Sequence, residues 1–436
     1  MNTPKRIQAL DILRGFSLFG VLIVNIELFS TPQDKHWDGL VNHIAQGITL
    51  FGAEGKFYPI FSLLFGIGFI MQMQSAEKRA SNFTQLFGRR LFILFLFGVV
   101  HSILFSHFDI LTQYACMGVA LLFLRHRSPR FLFWASIASL TIPYIIKVAA
   151  LLLNHDTTAS FGINETAYRI SIYGQGSVRE IFIQRFYDLI TYYRAFFDHT
   201  MYKIFAMFTL GACVGKLGIF RDIPRYHTKL RKAMIHGLLA GLPGNSIYTI
   251  TTTLSIPIDF APLDAALQLL YAFSDLALAL FYVSAIALLS QRETWHAILA
   301  PLASLGRMSL TTYIMQSVIC TTIFYSYGLG LYGQISPAST LIIACVIYAL
   351  QMAFSMFWLS HFTSGPLELA LATAYLLEHA RPAKDCPAPH VVIVASAVTN
   401  EQQQAVRAQA RASDHQGLAQ SSAAPRGKGC HNAQRD

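Results

Sequence analysis

The chain has 436 residues and a formal charge of +10, with 13% charged side chains against 54% hydrophobic ones. With a mean hydropathy of +0.44, it holds too little polar residue to cover a soluble globule of this length, which excludes a water-soluble enzyme. The positive balance does not point to nucleic acid either, because the basic residues gather at the ends of apolar runs and form no single face interleaved with aromatics; anionic lipid headgroups account for them.

A bilayer core needs about 20 residues of helix at 1.5 Å rise. Stretches near that length fall in chain order at 9–29, 57–74, 90–107, 109–124, 131–153, 202–220, 234–254, 263–290, 308–327 and 338–361. The pattern predicts an all-α, polytopic transmembrane bundle of about ten helices. Lys5, Arg6, Lys78, Arg79, Arg89, Arg90, Arg125, Arg127, Arg130, the run from Arg221 to Lys232 and Arg292 all fall on one side of it. By the positive-inside rule that side is the cytoplasm and both termini lie there. Opposite loops are neutral or acidic around Asp34, Asp38, Asp109, Asp259 and Asp264. The first span lacks a small-residue cleavage site and is read as a retained helix.

Four regions follow: an N-terminal five-helix half, 1–153; an external loop, 154–200, whose aromatic-rich part suits an amphipathic helix in the interface; a C-terminal five-helix half, 201–378; and a tail, 379–436, of a composition expected to be disordered. Gly66 and Gly68, Gly211 with Gly215, and Gly237 with Gly241 are expected to let helices approach closely. The six cysteines, including Cys386 and Cys430 in the tail, show no metal-binding spacing, and no metal site is expected.

An ionisable group in hydrocarbon costs at least ~2.5–3.5 kcal/mol, so those retained usually face a bundle interior or a water-filled cavity. His101 lies roughly 16 Å from the cytoplasmic end of its span, and Asp109 follows at the outer turn. A histidine held by a carboxylate is what a general base requires; the same residues would equally serve as an interhelical hydrogen bond and a helix cap. Asp275 is a second midplane group, a proton relay or a partner for His236. Asp11 and Arg14, three apart, suit a local ion pair, while Arg14, Arg89 and Arg90 suit either the phosphates of a cytoplasmic donor or simple anchoring. On the outer side Asp34, His36, Asp38, His43, Glu54 and Lys56 form a dense polar group, which an ordinary water-facing loop would also show.

Four separated blocks carry a resemblance. They are Asp11-Ile-Leu-Arg14-Gly15 running to Asn25, Lys56 to Gly68, His101 ahead of Asp109 to Tyr114, and Gly306-Arg307 to Tyr313, Gln316 and Ser317. In order and spacing over 6–368 they resemble the YeiB-like bacterial membrane proteins, whose C-terminal half is a domain of unknown function. The resemblance implies a distant relationship to transmembrane acyltransferases of the heparan-glucosaminide N-acetyltransferase type, which share the Asp-x-x-Arg-Gly opening. There acyl-CoA binds from the cytoplasm and a histidine near the lumenal side serves the transfer. His101 belongs to the YeiB-like pattern and ranks first as the equivalent; His36, in a Lys35-His36-Trp37-Asp38 segment offset by about two residues, ranks second. One departure stands at the end, where Gly365-Pro366-Leu367-Glu368 runs into Leu369 and an unrelated tail instead of the family's aromatic, basic segment.

The expectation is a multi-pass protein of a bacterial inner membrane that transfers an acyl group, acetyl foremost, from cytoplasmic acyl-CoA to an envelope glycan or lipid-linked acceptor. No permanently bound cofactor is expected. His101, Asp109 and His36 are the catalytic candidates, and Arg14, Arg89, Arg90 and Arg307 the donor-binding ones. Asp11, Asn25, Glu54, Lys56, Asp275, Tyr313 and Gln316 are further candidates, with Arg307, Tyr313 and Gln316 placed at the start of the ninth span. The rivals are a proton-coupled transporter or flippase using Asp275, His101 and Asp109, and a non-catalytic envelope partner.

Overall fold

The structure, a computed structural model, describes residues 7–32, 35–152, 165–196, 200–258 and 260–376; Lys5, Arg6, Asp34, Asp259, Cys386, Cys430 and the tail from 379 lie outside them. Among the described residues every regular element is helical. In chain order they are α1 Gln8–Ser30, α2 Leu40–Gly52, α3 Phe57–Lys78, α4 Phe83–Leu104, α5 Leu111–Phe123, α6 Pro129–Leu152, α7 Glu165–Gln175 and α8 Val178–Phe196. There follow α9 Thr200–Leu217, α10 Ile223–Thr253, α11 Ala261–Leu289, α12 Glu293–Arg307, α13 Ser309–Phe324, α14 Pro337–His361 and α15 Pro366–Leu376. One compact unit runs through Met356 and resumes at Ser364; Phe357–Thr363 belongs to a second, in which His361 Nδ1 lies 3.0 Å from the Phe357 carbonyl oxygen.

Among the described residues six stretches are long and apolar enough to cross a bilayer, Gln8–Ser30, Leu40–Lys78, Phe83–Leu104, Pro129–Ile146, Pro262–Leu289 and Pro337–His361, with α5 and α13 apolar but shorter. This is a membrane helix bundle. Its apolar side chains point outward as well as inward: Phe92, Val100, Trp134, Ile145, Ile342 and Leu350 are exposed, which only a hydrocarbon solvent makes favourable.

Backbone-to-backbone contact sets the frame. A Cβ on Gly15 would strike the Leu302 carbonyl and one on Gly306 the Asp11 carbonyl, so α1 and α12 touch along their backbones. Gly66 and Gly211 do the same for α3 and α9, and Gly237 and Gly241 for α10 and α11, as small residues allow. Gly68 is the exception. Nothing lies within 4 Å of where its Cβ would be, and it lines a cavity instead.

Two departures from the expected layout matter for the site. The segment around Arg292, expected as a turn, holds the whole of α12, so Arg307 ends that helix and does not open the next. Its Pro301 and its 15-residue length, too short to span, disguised it. The second departure is that residues 40–52, expected as part of an outer loop, form α2, which leaves a break in the apolar stretch Leu40–Lys78 at 53–56, just before the expected span at 57. It falls level with the middle of α1, because a Cβ on Gly20 would meet the Phe57 ring. Gly55 there has φ +75, and its missing side chain makes room for the Asp275 carboxylate. A broken helix at membrane depth is tolerated where protein covers its free carbonyls. Here Lys56 Nζ donates to Leu50 O at 2.8 Å and the Tyr282 hydroxyl to Gly52 O at 3.1 Å.

Outside the spans, α8 opens on a capping box in which the Ser177 N–H and hydroxyl donate to Glu180 at 2.7 and 2.8 Å. Phe182, Ile183, Phe186, Tyr187 and Ile190 line its exposed face, while Ile181, Arg185 and Asp188 are buried on the other. Arg185 Nη1 donates to the Ile103 and Leu104 carbonyls at the end of α4, where a cation also complements the helix dipole.

At the opposite end, Glu368 Oε1 accepts from the Leu310 and Thr311 N–H groups at 2.7 and 3.2 Å and Oε2 from the Thr311 hydroxyl at 2.6 Å. A residue of α15 thereby caps α13. Glu368→Ala should lower stability by about 2 kcal/mol, the scale of a lost charged cap, measurable by thermal unfolding in detergent; an unchanged midpoint would mean water replaces the carboxylate without loss.

Candidate functional site

Three cavities follow one another through the bundle. The inner one, about 340 Å³, is lined by Arg14 from α1, Gln72 from α3, Arg90 from α4, Arg307, and Ser309 and Tyr313 from α13, with Glu368 opposite. These residues sit at the helix ends that carry the basic loops, the side that the positive-inside rule assigns to the cytoplasm. Three guanidiniums against one carboxylate make this cavity cationic. The Gly15–Gly306 contact is what brings Arg14 and Arg307 together. Asp11, expected to pair with Arg14, does so at 2.8 Å. Arg89 is not among the residues that line the cavity.

A narrow middle cavity, about 190 Å³, carries no charged residue in its lining; Asn25, Tyr58, Gln113, Tyr192, Thr200 and Tyr313 supply its polar groups among Gly20, Val21, Val24, Phe57 and Phe108. Val21 and Tyr313 border both it and the inner cavity. Val24 and Leu28 border both it and the outer one, about 650 Å³, lined by Glu27, Lys35, His36, Trp37, Asp38, His43 and Glu54. The charged lining of the outer cavity is mixed, three carboxyl groups with Lys35 and two histidines, and His36 stands exposed on its wall. Trp37 Nε1, Thr253 Oγ1 and Thr340 Oγ1 line it too, buried without a hydrogen-bond partner.

His101 and Asp109 do meet, and a serine the sequence reading did not single out completes the group. His101 Nδ1 lies 2.9 Å from Asp109 Oδ1 and Nε2 2.8 Å from Ser317 Oγ. Asp109 Oδ2 accepts from the Thr112 N–H and hydroxyl at 2.8 and 2.9 Å. Base and cap, posed as alternatives, are thus both geometrically present in one carboxylate. With Asp109 ionised, Nδ1 carries the proton and Nε2 accepts from Ser317, the order of a serine–histidine–carboxylate relay. All three side chains are buried, and neither His101 nor Ser317 lines any of these cavities. What touches the passage is Tyr313, whose ring centroid is 5.0 Å from that of His101.

Asp275 pairs with lysines, not with His236, which is exposed on α10. Lys56 Nζ is 3.0 Å from Oδ1 and Lys203 Nζ 3.4 Å from Oδ2. Both ammoniums also face the Tyr271 ring, at 5.3 and 5.6 Å from its centroid. Lys203 was passed over because it sits near the end of an apolar run, where a lysine reads as an interfacial anchor. Gln316 bridges helices: its Nε2 donates to Gln351 Oε1 at 3.1 Å and to Leu18 O at 3.3 Å.

Known proteins resemble this chain over most of its length. The model of a family described as "Protein of unknown function (DUF418)" matches residues 214–376. The uncharacterised protein YxaH of Bacillus subtilis (strain 168) is 32% identical over 396 residues, covering 84% of this chain and 93% of the relative. The chain belongs to the YeiB-like family. YeiB of Escherichia coli (strain K12) is 26% identical over 386 residues, covering 84% and 94%. An uncharacterised 39.9 kDa protein of Bacillus acidopullulyticus is 29% identical over 368 residues, covering 84% and 92%.

Proposed function

We propose that this YeiB-like protein resides in a bacterial plasma membrane and moves an acyl group, most simply acetyl, from cytoplasmic acyl-CoA to an acceptor presented at the outer face. The observation that carries this reading is the chain of three cavities, cationic at the inner end and without charge in the middle. Arg14, Arg90 and Arg307 suit the phosphates of a nucleotide thioester, and the uncharged, narrow middle cavity suits its thin arm. The outer cavity offers His36 where the acceptor enters. In the step itself the acceptor hydroxyl or amine attacks the thioester carbonyl, His36 takes its proton, the new C–O or C–N bond forms, and the C–S bond breaks. The thiolate leaves through the inner cavity and is protonated there.

On this reading His36 takes the catalytic role, because it lines a cavity that a substrate can enter. His101, with Asp109 and Ser317, holds the Tyr313 ring at the neck between inner and middle cavities. Labelled acetyl-CoA is expected to bind the detergent-purified protein saturably, with affinity reduced at least about tenfold by Arg307→Gln, the loss of about 1.4 kcal/mol. Absence of saturable binding to folded protein would sink the proposal.

A second reading has its own observation. The buried Lys56–Asp275–Lys203 group sits at the break between α2 and α3, and broken helices with ionisable groups are the binding sites of many transporters. Solute movement driven by a proton gradient, abolished by Asp275→Asn in folded protein, would favour it.

A further inference from the structure

A fourth cavity lies on the outer side and shares Leu28 and Tyr192 with the middle one. It encloses about 200 Å³ between Arg169 and Tyr173 of α7, Asp188, Thr191 and Tyr192 of α8, and Tyr325 and Tyr332 of the loop after α13, with His107 and Thr31 completing it. We propose that this tyrosine-walled cavity binds one uncharged sugar ring of a glycan chain whose neighbouring ring reaches the outer cavity beside His36.

The walls argue for that ligand class. Tyr173 packs against Tyr325 and Tyr332 with ring centroids 4.7 and 5.2 Å apart, and all three are buried, so the rings brace one another into a rigid wall. The polar groups are set among them with their own partners fixed. Asp188 Oδ2 accepts from the Tyr173 hydroxyl at 2.6 Å and from Arg169 Nη1 at 3.1 Å, and Oδ1 from Gln184 at 2.9 Å. A pocket with aromatic walls and a few fixed polar groups is how proteins read a small polar ligand.

Charge argues against an anion. The Arg169 guanidinium is matched by Asp188 within the wall. Arg185, close by over the Tyr325 ring, gives its Nη1 to the α4 carbonyls and does not line the cavity. Burial pushes the His107 imidazole down to about 4 against the pull of Asp188, so it is neutral at pH 7 and acts as donor and acceptor only. The volume holds roughly seven waters at about 30 Å³ each, room for a single ring. Leu28, Thr31 and Pro32 border both this cavity and the outer one. A chain seated here therefore runs on towards His36.

That the bound glycan is the acyl acceptor rests on the function proposed above; that it binds does not. The experiment uses the full chain in a detergent without a sugar headgroup, titrated by calorimetry with glucose, N-acetylglucosamine and their β-1,4-linked disaccharides, with no acyl donor present. Saturable binding is expected, at least about tenfold tighter for a disaccharide that reaches both cavities, a difference of about 1.4 kcal/mol. Thr191→Trp, which fills the cavity from an exposed position, should abolish that gain with the thermal midpoint unchanged. No saccharide binding, binding indifferent to Thr191→Trp, or displacement of the sugar by inorganic phosphate would overturn the inference. Saccharide binding without acyl transfer would leave the site in place and remove the transfer reading instead.

Discussion

Replacing Asp275 by Asn is expected to cost about 3–5 kcal/mol, the penalty for stranding buried charge. Lys56 and Asp275 are fully buried and Lys203 is 9% exposed, so the substitution leaves two ammoniums facing a neutral amide in a bilayer that cannot solvate them. The break between α2 and α3 depends on the same carboxylate, which occupies the space that Gly55 leaves open. Detergent-solubilised Asp275→Asn should therefore unfold at a much lower temperature and yield less protein. Adding Lys203→Met removes one stranded cation and should recover part of the loss, since residues in one network couple. If Asp275→Asn melts like the parent, water reaches the cluster and the carboxylate belongs to a solvated pathway, as the transport reading requires.

His36→Ala is expected to lower acyl transfer by about 10²–10⁴-fold, the usual contribution of a positioned general base, while leaving acetyl-CoA binding unchanged. The binding control separates loss of chemistry from loss of donor. His101→Ala should behave differently. It removes the hydrogen bonds to Asp109 and Ser317 and so destabilises the bundle, by about 1–3 kcal/mol for the carboxylate left underpartnered. The comparison is made in proteoliposomes with acetyl-CoA inside and acceptor outside. Full transfer by His36→Ala, together with a stable but inactive His101→Ala, would return the catalytic role to the buried histidine.

The contrast between the two histidines shows what could be read from the chain. Both were legible as candidates because an ionisable residue inside or beside an apolar run is conspicuous. Which of them borders a cavity was not legible, because that is a property of helices distant in sequence. Ser317 is 216 residues from its partner His101. Lys203 is 72 from Asp275. No local pattern announces either pairing. Asp11 and Arg14 are the opposite case, since three residues along a helix already place them within reach.

By itself the sequence determined the solvent and the all-helical class. Long apolar runs with few charges can satisfy their backbone in hydrocarbon only as helices, and loop charge assigns their sides. It also determined several close contacts in advance, because glycines such as Gly66, Gly211, Gly237 and Gly241 have little other use inside a span. Only the tertiary structure decided where α12 packs, where α2 and α3 break, and which charged groups meet. Those outcomes follow from the matching of surfaces across the bundle: Gly15 against Gly306 aligns Arg14 with Arg307, and Gly55 admits Asp275 to two lysines.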